Sequence, residues 1–245
     1  MRFACAVAVV AALCGGGIVG ATQFPSEGSA SRASSAASVN RVYASGIVGA
    51  SFASLSSGGV NTGGLGPVAN TGTATDDLFT AGGALGVALD RDNGQLRVEV
   101  EGRGRDAFIG ETGSVFDPFQ YDVEAKDGWS VTANAWRDVF LGDRWGAYAG
   151  GGIGGGGYRL FAADDVSTGS GPVGGFAWQA GGGVIWEVTD RMTLDLGYRW
   201  FAIDTLSTPL ALSDGTPTGN YTSAFGASEL LLTVRVYEPF RRWMR

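Results

Sequence analysis

The chain has 245 residues, 42 of them glycine; 44% are hydrophobic and only 17% charged, with 17 Lys+Arg against 24 Asp+Glu and no histidine. That length admits one large all-β domain or two small ones, the charges are too sparse for a typical water-facing surface, and their negative sum weighs against nucleic acid as a partner. The lack of histidine excludes Ser-His-Asp and Cys-His catalysis and imidazole metal sites, so no catalytic residue, cofactor or metal is expected.

The chain opens with a positive residue, Arg2, then an apolar run from Phe3 to Leu13, then small residues before a cleavage site after Ala21. Residues 1–21 therefore read as a secretory signal peptide. A rival reading makes Cys14 a lipidated cysteine, but Leu13 before it is bulkier than such cleavage usually requires. Cys5 and Cys14 both fall in the removed segment, so no disulfide or thiol is expected in the mature chain. Residues 22–40 are Ser/Ala-rich with nothing to bury and read as a periplasmic linker. No later apolar run is long enough for a spanning helix, so any membrane crossing must be made by strands.

Between residues 41 and 240, period-two alternation appears eight times, in stretches suited to tilted membrane strands. The first, 41–55, aligns Val42, Ala44, Val48, Ala50 and Phe52 on one face. The second, 78–89, aligns Phe79, Ala81, Leu85, Val87 and Leu89 and reverses at an Asn93-Gly94 hairpin signal. The third, 95–108, sets Leu96, Val98, Val100 and Phe108 on one face and Gln95, Arg97, Glu99, Glu101, Arg103 and Arg105 on the other. The fourth, 129–141, and the fifth, 145–160, join at Gly142-Asp143-Arg144. The sixth, 174–188, groups Phe176, Trp178, Ala180, Val184, Trp186 and Val188. The seventh, 192–203, turns Met192, Leu194, Leu196, Tyr198 and Trp200 outward and Asp195 and Arg199 inward. The eighth, 223–240, does the same with Leu230, Leu232, Val234 and Val236 against Glu229, Thr233 and Arg235.

Long and short connections alternate, which predicts extracellular loops at one rim and periplasmic turns and termini at the other. Strands can cross lipid only as a closed barrel, since an open edge leaves backbone groups unpaired where no water reaches. The prediction is an all-β, eight-stranded antiparallel transmembrane up-and-down β-barrel over residues 41–240, monomeric, with a tail at 241–245. A soluble barrel of lipocalin type shows the same period. The export signal and the aromatics near strand ends, Trp129, Trp145, Trp186, Trp200 and Phe201, favour the membrane, where they would form an interfacial girdle.

The stretches AYAGGGIGGGGY, WQAGGGVIWEVTDRMTLDLGYRWF and ELLLTVRVYEPF resemble the OmpA-like, opacity-type outer-membrane barrel proteins of Gram-negative bacteria. The resemblance implies insertion into outer-membrane lipid by the barrel assembly machinery, and a role as surface antigen, adhesin, narrow porin or envelope-stabilising protein. It also implies a terminal aromatic assembly signal. Here Phe240 fits that role but is followed by a five-residue tail in which Trp243 is the alternative.

The lumen charges Arg97, Glu99, Glu101, Arg103, Arg105, Asp195, Arg199, Glu229 and Arg235 carry both signs and are expected to pair across a narrow interior, as a plug or as the gate of a weakly conducting pore. The pairs Asp76-Asp77 and Asp164-Asp165 read as solvated loop charge, with weak Ca²⁺ binding as the alternative, and Gly150-x-Gly152-x-x-Gly155 as close strand packing rather than a dinucleotide fingerprint. Two long loops, 57–75 and 109–128, are expected at the extracellular rim, the second with Phe116, Phe119 and Tyr121. They would offer a surface to a host, surface or periplasmic protein partner that the sequence does not identify.

Overall fold

The computed structural model describes residues 40–61, 67–71, 73–113, 120–163 and 166–239. The expected signal peptide, all but the last residue of the linker, Phe240 and the tail lie outside them.

Among the described residues, alternating side chains build ten strands: β1 Arg41–Asn61, β2 Pro67–Thr71, β3 Ala74–Arg91, β4 Gly94–Arg105, β5 Phe108–Gly113, β6 Gln120–Phe140, β7 Trp145–Ala163, β8 Ser167–Thr189, β9 Met192–Leu212 and β10 Pro217–Tyr237. All pairings are antiparallel, each long strand bonds to the next, and β10 pairs back onto β1, which closes the ring. β2 extends β3 along β1, and β5 extends β4 along β6, so the ten strands form eight staves. The short reversals are tight. Asn93 (φ 57°) and Gly94 (φ 148°) turn β3 into β4, in backbone regions that asparagine and glycine tolerate.

The strands run much further than the sequence pattern predicts. The four long connections, including the expected loops 57–75 and 109–128, are strand over most of their described residues. The reason is an inversion of the pattern along the barrel axis. Near the turns, apolar side chains point outward: Val48, Leu85, Val100, Val184, Leu196 and Leu232 are all exposed, while polar and charged residues fill the lumen. Near the loop end, Asp77, Asp122, Lys126, Thr168, Ser170, Asp204 and Ser207 point outward instead, and Leu78, Phe108, Val123, Leu160, Leu206, Leu210 and Tyr221 point in. Ile109 and Phe161 are exposed apolar exceptions. The membrane tier has about ten residues per stave, which at a tilt of roughly 40° and about 3.3 Å per residue gives the roughly 25 Å apolar band of an outer-membrane barrel. The loop-end tier above it is arranged like a water-soluble barrel, with its oil inside.

Phe108 belongs to this second arrangement. The sequence pattern sets it on the face of Leu96, Val98 and Val100, yet it is fully buried, because Asp106 and Ala107 interrupt the strand between β4 and β5 and reset the alternation.

Lumen-facing glycines make room for the large side chains. A β-carbon on Gly128 would stand 2.3 Å from Cε1 of the Tyr158 ring, and one on Gly86 would crowd Tyr43 and Glu99. Gly128→Ala should therefore destabilise the barrel by about 1–3 kcal/mol through overpacking. Urea titration of the refolded protein measures this, and Gly128→Ala/Tyr158→Leu should lose less than the two single losses added together.

Candidate functional site

The lumen of the membrane tier is the site. All nine predicted lumen charges point into it, each with a relative exposure of 6% or less, and a tenth, Asp138, joins them at 0%. The buried charges among the described residues number five arginines (97, 103, 105, 199, 235) and five acids (Glu99, Glu101, Asp138, Asp195, Glu229), so the set has no net charge.

Three layers can be traced upward from the turns. In the lowest, Asp138 on β6 accepts hydrogen bonds from Gln95 Nε2 (2.8 Å), Arg97 Nε (2.9 Å) and Arg235 Nη1 (3.2 Å). Arg235 also binds Asp195 through Nη2. Glu99 accepts from Tyr43 Oη at 2.5 Å and Trp136 Nε1 at 2.8 Å. Aromatic rings floor this layer: Tyr43 packs against Tyr237, and Trp136 meets Tyr148 edge-on.

In the middle layer Glu101 accepts from Arg199 Nη1 at 2.6 Å and lies 2.6 Å from Arg103 Nε. Gln179 on β8 donates to Asn134 Oδ1 (2.8 Å), Thr132 (3.1 Å) and Glu101 (3.3 Å). In the top layer Glu229 on β10 is held by Arg103 Nη1 and by Arg105 Nε and Nη2 at 3.2 and 3.0 Å, and the Arg105 guanidinium lies 3.8 Å from the centroid of the Phe201 ring. Above it begins the apolar filling of the loop-end tier, a continuous cluster that includes Phe201, Phe225, Tyr158, Ile203, Leu78 and Leu206.

The physical logic is charge compensation. A lone buried ion is costly, and these are tolerable because each carboxylate meets at least one guanidinium, and Glu99, Glu101, Asp138 and Glu229 each accept from further donors.

Of the five aromatics predicted for the girdle, Trp129, Trp145, Trp186 and Trp200 are exposed on the outer wall. Trp145 and Trp186 are register partners at the turn end and stack with centroids 5.7 Å apart. Trp129 and Trp200 stand where the two tiers meet. Phe201 is the exception: it is fully buried in the lumen against Phe225, since consecutive strand residues face opposite ways and Trp200 takes the outer position. Sequence reasoning missed Asp138, Asn134, Trp136, Gln179 and Tyr43. The signal was present in the fourth stretch, where Ser130, Thr132, Asn134, Trp136 and Asp138 alternate with Val131, Ala133 and Ala135.

No protein-family model and no curated protein sequence matches the chain. Solved structures do. The outer membrane protease OmpT from Escherichia coli is similar at 8% identity over 80% of this chain and 96% of that one, with a TM-score of 0.52. Neisserial surface protein A is similar at 16% identity over 80% and 96% with a TM-score of 0.39, and OprG from Pseudomonas aeruginosa at 10% identity over 78% and 95% with a TM-score of 0.44. At such identities likeness speaks of fold alone. The fold and the inside-out lumen define an eight-stranded antiparallel β-barrel of the outer-membrane type.

Proposed function

We propose that the protein is a non-enzymatic, non-conducting outer-membrane barrel of the OmpA-like, opacity type, with a structural or surface-antigen role. In this reading the loop end is extracellular, the turns and both termini are periplasmic, and the barrel assembly machinery inserts the chain. The observation that carries it is the filling of the lumen. A balanced set of paired charges occupies the membrane tier, and an apolar core is stacked directly on top of it. A narrow pore gated by exchange of Arg/Glu partners would need a polar path along the whole axis, and the apolar core weighs against one. The absence of histidine from the sequence argues against the commonest hydrolytic chemistries.

The test is single-channel recording of the refolded protein in planar bilayers, with heat-modifiable gel mobility to verify folding. The expected result is a folded, silent protein. Discrete, salt-dependent steps that Glu99→Ala or Arg103→Ala alters would overturn the closed-barrel reading in favour of a gated pore.

A further inference from the structure

The hydrogen-bonded ring is continuous only in the membrane tier. Between β3 and β4 the ladder ends at Thr80↔Arg105, and among the described residues no ladder joins Ala74–Phe79 of β3 to β5. Among the described residues two hydrogen bonds bridge that gap, Asp106 N donating to Phe79 O at 3.0 Å and Ile109 N donating to Asp76 Oδ2 at 2.9 Å. Between β8 and β9 the ladder lapses from Ala177↔Ile203 to Thr168↔Ala211. Pro172 and Pro209, which have no N–H to give, lie within this lapse.

The two gaps lie four staves apart, on opposite sides of the ring. The loop-end tier is therefore two four-stave sheets, β5-β6-β7-β8 and β9-β10-β1-β2/β3, facing each other across the apolar core. Phe108, Val123, Tyr158 and Leu160 come from one sheet, and Leu78, Leu206, Leu210 and Phe225 from the other. The β8/β9 gap is closed again at its tip by Ser167↔Leu212 and Thr168↔Ala211. The β3/β5 gap has no such closure among the described residues and is held near the rim by the Asp76 carboxylate.

We propose that the loop-end tier is a two-sheet clamp which parts at the β3/β5 seam, latched by Asp76 and hinged on the closed membrane tier. Within each sheet the ladders continue past short bulges at Lys126/Trp129, Ser56/Gly59 and Ser223/Phe225, so parting breaks few backbone bonds and costs mainly apolar contact. The closed interior also holds the buried hydroxyls of Tyr158, Thr208 and Ser223, which have no protein hydrogen-bond partner among the described residues. Water admitted on parting would satisfy all three. The membrane tier cannot follow, because its staves are laddered all round and its lumen charges tie β4, β6, β8, β9 and β10 together.

The test is labelling of a buried cysteine by a small thiol reagent in refolded, full-length protein, read at the labelled peptide by mass spectrometry. Ala162→Cys reports on the clamp core and Ala88→Cys on the membrane tier; both alanines are fully buried. Ala162→Cys should be labelled while Ala88→Cys is not, and adding Asp76→Ala should speed the first by roughly fivefold, as expected for loss of one hydrogen bond to a carboxylate at a part-exposed site. A staple across the seam should stop the labelling. Ala74→Cys/Gly110→Cys suits it, since a β-carbon on Gly110 would stand 2.8 Å from that of Ala74 and 2.9 Å from the edge of the Phe108 ring, so disulfide spacing is reached once the strand and that ring shift by about 1 Å. If Ala162→Cys does not fold, Ala125→Cys in the same cluster takes its place. Equal labelling at both depths, no labelling of the clamp core, or rates indifferent to Asp76→Ala and to the staple would overturn the proposal.

Discussion

Glu229→Ala should destabilise the barrel by about 3–5 kcal/mol, the range for a buried ion pair that loses one partner. Glu229 is fully buried on β10 and is the carboxylate to which both Arg103 and Arg105 of β4 are bonded. Without it, Arg105 keeps Ser130 and the face of Phe201, and Arg103 keeps Glu101 and Gln179. Two guanidinium charges would then share the compensation that remains, far from water. The contrast lies within the same chain. Lys126 and Glu124 form an ion pair at 2.8 Å on the outer wall with 55% and 31% of their side chains exposed, and Lys126→Ala should shift stability by no more than about 0.5 kcal/mol. Urea unfolding in vesicles, followed by tryptophan fluorescence, compares the two. Equal small losses would mean that the lumen is wet enough to solvate the orphaned arginines, which would also weaken the closed-barrel reading.

Leu232→Arg should cost about 2–4 kcal/mol and Ser207→Arg close to nothing, although both residues face outward on neighbouring staves. Leu232 is 45% exposed between Val48 and Leu196 in the middle of the apolar band, where an arginine must snorkel or carry water with it. Ser207 lies on the polar wall of the loop-end tier, in the register of Thr222, where an arginine meets solvent. The pair measures where the membrane stops. If Ser207→Arg were as costly as Leu232→Arg, the bilayer would have to reach the second tier, and the axial inversion would lose its meaning as a boundary.

The membrane tier was legible because its chemistry is one-sided: Arg97 to Arg105 alternate ionic residues with Val98, Val100 and glycine without a break. The loop-end tier was not, because its alternation has the opposite sense, is diluted by glycine, serine and threonine, and is interrupted at Asp106-Ala107 and by a register shift between β9 and β10 near Asp204. A search for oily outward faces stops where the outward face turns polar. Among the site residues, arginines on a clearly alternating strand announced themselves. Asp138 did not, because its strand carries mostly small neutral residues, and a lone acid three residues before a turn reads as turn chemistry. Phe201 was assigned by residue type where only parity could decide, since Trp200 and Phe201 cannot both face lipid.

The lumen bonds also bear on how the barrel comes to exist. Arg103 and Glu229 are 126 residues apart in sequence, Arg105 and Glu229 124, Arg199 and Glu101 98, and Arg235 and Asp138 97. None of these bonds can form between neighbours in a growing hairpin; they wait for the last staves to come round to the first. Until then Glu229 stands apart from the arginines of β4, while Arg97 and Asp138 on adjacent staves, and Arg103 and Glu101 on one strand, can already pair; the long-range pairing is slow to reach. The bonds of Glu229 to Arg103 and Arg105, and of Arg235 to Asp138, therefore reward the arrival of the final strand, and an unclosed sheet goes without them.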